Sequence, residues 1–406
     1  MEKILKRDKA KVSINYNLLL IFLIIFATSL SDGISSIVIP KILANNPKAV
    51  ALVGSLVGIQ SFIGVIIFLP QASFIRKFGE KACIRIGLFI NLIVYAIYLV
   101  VTPGAIALGK FTEGFGDRLL NSTVSKLIYD ETDNKNNRGK VRAMMDGVGN
   151  LSLIIGPAIA ALLITYSVKL PIILALVLMA IVFVLSNKIE LSQNADAQEA
   201  DHKESFLDHY KEHLNKYFMN KYVVLLTLPS ILLSTLSVFY GIILNAYLLQ
   251  SGLLTIIEIG ILWSLISALS ILLQIPSGYL ADKSKNIAFL LSFAFFIAGF
   301  YGLLTVEHSK YLLFISVLLI YTAGQFYTTS MSAMFGDVTT QKNRLSESES
   351  YRMFRSFGEG ILVLLVSAVF AFNPLMSILI VGSLACLGVV ITYFIGLKFY
   401  SKNTLN

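Results

Sequence analysis

Charge is scarce in this chain of 406 residues: Asp, Glu, Lys and Arg together make up only 14% of it. That excludes a solvated disordered chain and leaves too little polar surface to cover one large soluble core. Cysteine is rarer still. Cys83 and Cys386 stand in apolar runs of opposite halves, which excludes a disulfide framework and a cysteine-built metal cluster. The four histidines, 202, 209, 213 and 308, all fall outside the apolar runs, so no imidazole is available for catalysis inside a membrane. No loop of the G-x-x-x-x-G-K-[ST] kind is present to cradle a nucleotide phosphate. No cofactor, no metal site and no ATP-driven motor is therefore expected.

What the chain has in excess is apolar length. Hydrophobic residues make up 56% of it, gathered into runs of about 20 residues, the length that spans a hydrocarbon core as a helix. Lipid offers the backbone no hydrogen-bond partner, so such runs must be helical. Twelve spans are predicted, six on each side of a charged stretch: 17–40, 48–72, 82–101, 103–128, 142–165 and 168–187, then 222–249, 254–281, 286–305, 309–335, 349–372 and 374–399. The fold class is an all-α membrane protein with two six-helix bundles, 1–187 and 222–406. A loop over 188–221 joins them.

Basic residues set the predicted orientation. Most of the 33 lie before span one, in the even-to-odd connections, in the central loop and after span twelve. Only Lys41, Lys48, Lys169 and Lys310 fall on the other side, with Lys110 and Arg118 inside span four. The positive-inside rule then makes both termini and the central loop cytoplasmic. Scattered over seven segments, the net charge of +9 reflects topology and argues against a nucleic-acid partner. The first run ends in Ile39-Pro40-Lys41 without a small-residue cleavage site, so it reads as a retained span in the cell membrane. The central loop opens polar and then places Phe206, Tyr210, Leu214, Tyr217 and Phe218 on one helical face, the pattern of an amphipathic helix on the inner membrane surface. His209 and His213, one turn apart, read as part of its solvated face.

Specific residues then carry a resemblance. Gly278-Tyr-Leu-Ala-Asp282-Lys283, at the end of span eight, is similar to the loop signature of the major facilitator superfamily, which recurs between the second and third helices of each half. The matching first-half loop keeps Lys77, Gly79 and Lys81 but has Arg76 where the family has an acidic residue. Span four, Gly109-Lys110-Phe-Thr-Glu113-Gly114, resembles the family's fourth-helix pattern, with Lys110 at the arginine and Glu113 at the glutamine. Span five, through Gly156-Pro157, resembles the Gly-Pro motif of the antiporter branch. The resemblance implies a proton-coupled exporter of the twelve-helix branch, working by alternating access about a mid-depth site. It also implies gating roles for Arg76, Lys77, Gly79, Gly278, Asp282, Lys283, Gly156, Pro157 and Arg142. Asp282 would latch near Arg138 or Arg142, and Arg76 would form a charge-inverted latch with Glu347 or Glu349.

Charges inside the apolar runs mark the candidate site, because each is costly unless paired or wet. Asp32 sits mid-way along span one, where Thr28, Asp32, Ser35 and Ser36 share a face. Glu113, Asp117, Asn121 and Ser125 form a stripe along span four, flanked by Lys110 and Arg118. Asp32, Lys110, Glu113, Asp117 and Arg118 are the expected proton-coupling and cavity groups. Thr28, Ser36, Asn121, Tyr240, Asn245, Gln325 and Phe326 are expected to line the substrate cavity, and Arg355–Glu359 to form a local pair. A fixed structural network is the alternative role for these charges. The expected function is proton-coupled efflux of a small amphipathic or charged molecule by a monomer in the lipid bilayer. An importer or an amphiphile flippase is the runner-up, and a membrane receptor or sensor the reading from another class.

Overall fold

The computed structural model describes residues 16–44, 46–130, 138–189, 214–305, 309–339 and 344–403. Among them, every regular element is a helix. The first six long helices are α1 (Tyr16–Leu43), α2 (Pro47–Phe78), α3 (Glu80–Tyr98), α4 (Pro103–Asp130), α5 (Arg138–Ile164) and α6 (Lys169–Leu185). The second six are α7 (Lys221–Gln250), α8 (Ile256–Lys283), α9 (Lys285–Thr305), α10 (Lys310–Val338), α11 (Arg344–Phe372) and α12 (Pro374–Asn403). Among the described residues, ten of the twelve are long and apolar enough to cross a membrane; α2 adds the apolar stretch Pro47–Phe62, and α4 carries the charged stripe.

The sequence dictates most helix ends locally. Asn46 caps α2 by accepting from the Ala49 amide at 3.1 Å, with Pro47 in the first turn, where its missing N–H costs nothing. Thr255 and Glu258 form a reciprocal capping box at the start of α8. Gly79 turns the chain from α2 straight into α3 at φ +79°, a conformation glycine adopts without penalty. Within α7 the ladder loosens into a π turn over Phe239–Ile243, an irregularity concentrated at functional sites.

The packing repeats after six helices. α1 packs on α5 and α6, α3 on α4 and α6, and α2 on α4; correspondingly, α7 packs on α11 and α12, α9 on α10 and α12, and α8 on α10. The two sets meet chiefly along α2–α11 and α5–α8. Glycine makes these approaches possible. Gly58 and Gly360 face each other across α2–α11, where a Cβ on either would lie 3.0 Å or less from the other's carbonyl oxygen. Gly156 faces Gly33 of α1 in the same way, one residue from Asp32. The Gly-Pro pair of α5 thus serves close packing on α1 and, through the Pro157 carbonyl beside Gly260, on α8.

Most of the predicted amphipathic helix, including His209 and His213, lies outside the described residues. Its end, 214–219, is helical, and Tyr217 faces the protein. It is buried, stacked on Phe354 of α11 at 4.9 Å, with its hydroxyl 2.7 Å from that of Thr227. Burying the ring against α11 while satisfying its hydroxyl outweighs a surface position.

Candidate functional site

Three cavities bear on the predicted site. One of about 250 Å³ is lined by Asp32, Lys110, Glu113 and Asp117 together with Ser237 and Gly241 of α7. A second, of about 450 Å³, belongs to the last six helices and includes Ser237, Tyr240, Gln325, Arg352 and Arg355. A third, of about 310 Å³, runs along α1, α4 and α5 past Thr28, Asp32, Asp117 and Asn121 to Gln274 of α8. Asp32 and Asp117 border two of the cavities, and Ser237 joins the first to the second.

The carboxylates of Asp32, Glu113 and Asp117, separated by up to 85 positions in sequence, come within 4.8 Å of one another. Helical spacing explains the α4 pair, since residues four apart share a face; the contact of α4 with α1 brings in Asp32. Each carboxylate has a different environment. Glu113 is buried, paired with Lys110 Nζ at 2.6 Å, and accepts from the Tyr98 hydroxyl at 2.8 Å. Asp117 accepts from Asn91 Nδ2 at 2.8 Å. Asp32 faces the cavity and makes no hydrogen bond or ion pair with any described residue. No ion is needed to explain the cluster: Lys110 offsets one charge, and protonation can offset another. Arg118 turns away, donating to the Gln60 carbonyl at 3.4 Å and facing the Glu359 carboxylate of α11 electrostatically.

Sequence reasoning missed the supporting layer. Tyr95 and Tyr98 of α3 pack edge-to-face at 5.7 Å behind the carboxylates, and Tyr95 OH receives the Ser35 hydroxyl at 3.2 Å. Together with Asn91 they place three polar residues on one face of an apolar helix. That spacing was the available signal, and tyrosine in an apolar run reads as core.

The remaining predicted residues divide. Thr28, Ser36, Asn121, Tyr240 and Gln325 border the cavities. Asn245 does not: it is buried, donates to the Ser36 carbonyl at 3.1 Å and accepts from the indole N–H of Trp263 at 2.5 Å. Phe326 is likewise buried, beside Phe295. Both side chains are directed into helix–helix contacts because the face each occupies is set by neighbouring helices. Arg355 does not pair with Glu359, whose Oε1 instead accepts from Ser237 at 2.8 Å. Glu347 is buried and accepts from Asn220 at the start of α7 at 3.2 Å. Asp282 is exposed and makes no bond with a described residue, and Lys283 lies over the Tyr279 ring. A Cβ on Gly278 would meet nothing within 4 Å. The side chains of Arg76, Lys77, Arg138 and Arg142 lie outside the described residues.

One end of the central cavity is closed. Asn245 donates to Ser36, Gln250 Nε2 donates to the Ala44 carbonyl at 2.7 Å, and Ser264 Oγ donates to the Ile154 carbonyl at 2.7 Å. Each joins one of the last six helices to the end of α1 or to α5, on the side of the α1–α2 and α7–α8 connections. Toward the other side the lining continues through the exposed Ser332 and Arg352.

Known proteins of similar shape share this architecture. The structure is similar to that of the nucleoside transporter NupG, at a TM-score of 0.75 and 15% identity, covering 95% of this chain and 99% of that one. It is similar to a bacterial homologue of the human lysosomal transporter Spinster in its inward-facing, unoccupied conformation (0.73, 11%, 97% and 98%). It is also similar to a D-xylose–proton symporter (0.71, 12%, 92% and 97%). Among curated proteins, none matches the chain in sequence. A sequence model of the Major Facilitator Superfamily matches residues 21–344, and the chain belongs to that family, as a membrane transporter and not an enzyme.

Proposed function

We propose that the chain is a proton-coupled exporter of a small amphipathic or charged molecule, working in the cell membrane by alternating access. In this reading α2 and α4 also span the bilayer, giving twelve spans in two bundles, 1–187 and 222–406. The stretch 188–221 is then cytoplasmic, as are both termini. The repeated packing of α1–α6 and α7–α12 supports the two-bundle division. With that orientation the hydrogen bonds that join the halves lie toward the outer face, which supports an inward-facing conformation.

The observation that carries the reading is Asp32. An ionisable group in a membrane-spanning helix is kept for use or for pairing; among the described residues Asp32 has no partner, while Glu113 and Asp117 each have one. When the halves rock, the water around this carboxylate changes. A proton gradient can then bias the two facing states through the difference in their proton affinity. The similar D-xylose–proton symporter shows that this fold accommodates proton coupling.

The test is reconstitution into vesicles with an imposed pH gradient. Candidate cargo comes from comparing exported metabolites of cells with and without the protein, each with and without an uncoupler. Export that is blocked by the uncoupler supports the reading. Concentrative uptake into such cells, or movement indifferent to the pH gradient, rejects the exporter or the coupling respectively.

A further inference from the structure

The cavities hold unpartnered charges of both signs, contributed by opposite halves of the chain. Asp32 of α1 is one. Arg352 and Arg355 of α11 are the others: three residues apart, they share a helical face, line the 450 Å³ cavity, and pair with no carboxylate among the described residues. The acidic residue one turn on, Glu359, accepts from Ser237 and faces Arg118 instead. Both arginines are exposed and lie in the first half of α11, at the mouth of the cavity. Two positive charges side by side at the entrance to a cavity rich in hydroxyl groups attract an anion from water.

Proton coupling accounts for Asp32 but gives the arginines nothing to do. Cargo that is only cationic would be repelled by them at the mouth of its own cavity, and cargo that is only anionic would face the three carboxylates. Ser237, shared by the two cavities, marks where they join. Beside it Tyr240 and Tyr321 stand edge-to-face at 5.7 Å, an aromatic wall for the apolar middle of a molecule.

The geometry points to a dipolar cargo, a small organic molecule with an ammonium at one end and a carboxylate or phosphate at the other. The ammonium sits against Asp32 and the anionic group at Arg352 and Arg355, whose planar guanidinium groups suit either anion. This rests on the transporter reading and narrows it to one substrate class.

Two matched sets of compounds test it on the intact purified protein by thermal shift. The first is 4-(aminomethyl)benzoate, 4-methylbenzylamine and 4-methylbenzoate; the second is O-phosphoethanolamine, ethanolamine and ethyl phosphate. The zwitterion of at least one set should bind ten-fold or more tightly than either singly charged member, and the set that responds tells carboxylate from phosphate. The double variant Arg352→Gln/Arg355→Gln should erase the advantage over the amine, and Asp32→Asn the advantage over the acid. The inference is overturned if an amine or an acid matches its zwitterion, if no member of either set protects the protein, or if the advantage survives both variants. Counterflow of the protecting compound in vesicles separates the two claims. Binding with the expected charge preference but no counterflow would sink the transporter reading and leave the dipolar site standing.

Discussion

The two walls of the central cavity are built from different chemistry. The first six helices contribute three carboxylates and a lysine, backed by tyrosines and an asparagine that fix two of the acids in place. The last six contribute hydroxyls, aromatic rings and two arginines that pair with no carboxylate among the described residues. The helix packing of the halves is nearly the same, so, apart from the π turn of α7, the difference lies in side chains. A repeated scaffold has therefore been specialised, with titratable groups concentrated on one wall and neutral recognition surface with fixed positive charge on the other.

The largest expected effect comes from neutralising the unpartnered acid. Asp32→Asn should bring pH-gradient-driven accumulation in vesicles down to the level of protein-free controls, while downhill exchange continues. If the variant concentrates cargo like the parent, the acidic wall is structural and the contrast loses its functional meaning. Stability probes the scaffold that both walls share. Gly156→Val forces atoms against the Leu30 carbonyl and Gly33, at a cost of about 1–3 kcal/mol for overpacking. A lowered thermal midpoint should follow. Gly147→Ala, with nothing within 4 Å of the new methyl group, should leave the midpoint unchanged.

A further comparison concerns the layer behind the acids. Tyr98→Phe removes one hydrogen bond to the charged Glu113, a contact worth about 1.5–3 kcal/mol. Its rate of driven transport should fall by roughly tenfold, whereas Tyr321→Phe on the opposite wall should change that rate far less. Equal losses would erase the distinction between the walls. At the closed end, Asn245→Ala deletes a bond between α7 and α1 worth about 1 kcal/mol. Trp263, the single tryptophan of the chain, loses its partner at the same time. Its emission should shift to longer wavelength as water reaches the indole, and Gln250→Ala, which lacks that contact, should leave the emission in place. The smallest effect belongs to Asp282→Asn, which should slow turnover in reconstituted protein without weakening cargo binding.

The sequence by itself determined the helices and the family. A run of apolar residues about 20 long has one stable conformation in lipid, and that rule is local. It places α12 at Pro374–Asn403 where 374–399 was expected, and α1 at Tyr16–Leu43 where 17–40 was expected. The same rule made Asp32, Glu113 and Asp117 conspicuous, because charge in such a run needs a reason to be there. Which faces of these helices meet was decided only by the tertiary structure. A helix that is apolar on every side carries no periodic mark of its inner face, so Asn245 and Phe326 were assigned to the cavity although packing buries them between helices. Tyr98, Asn91 and Ser237 were overlooked for the same reason. Their roles arise from approaches between α3 and α4 and between α7 and α11. The separation of Arg355 from Glu359 is also a tertiary property. One turn of spacing predicted that they would pair, and the Glu359 carboxylate instead accepts from Ser237, 122 positions away in the chain, and faces Arg118.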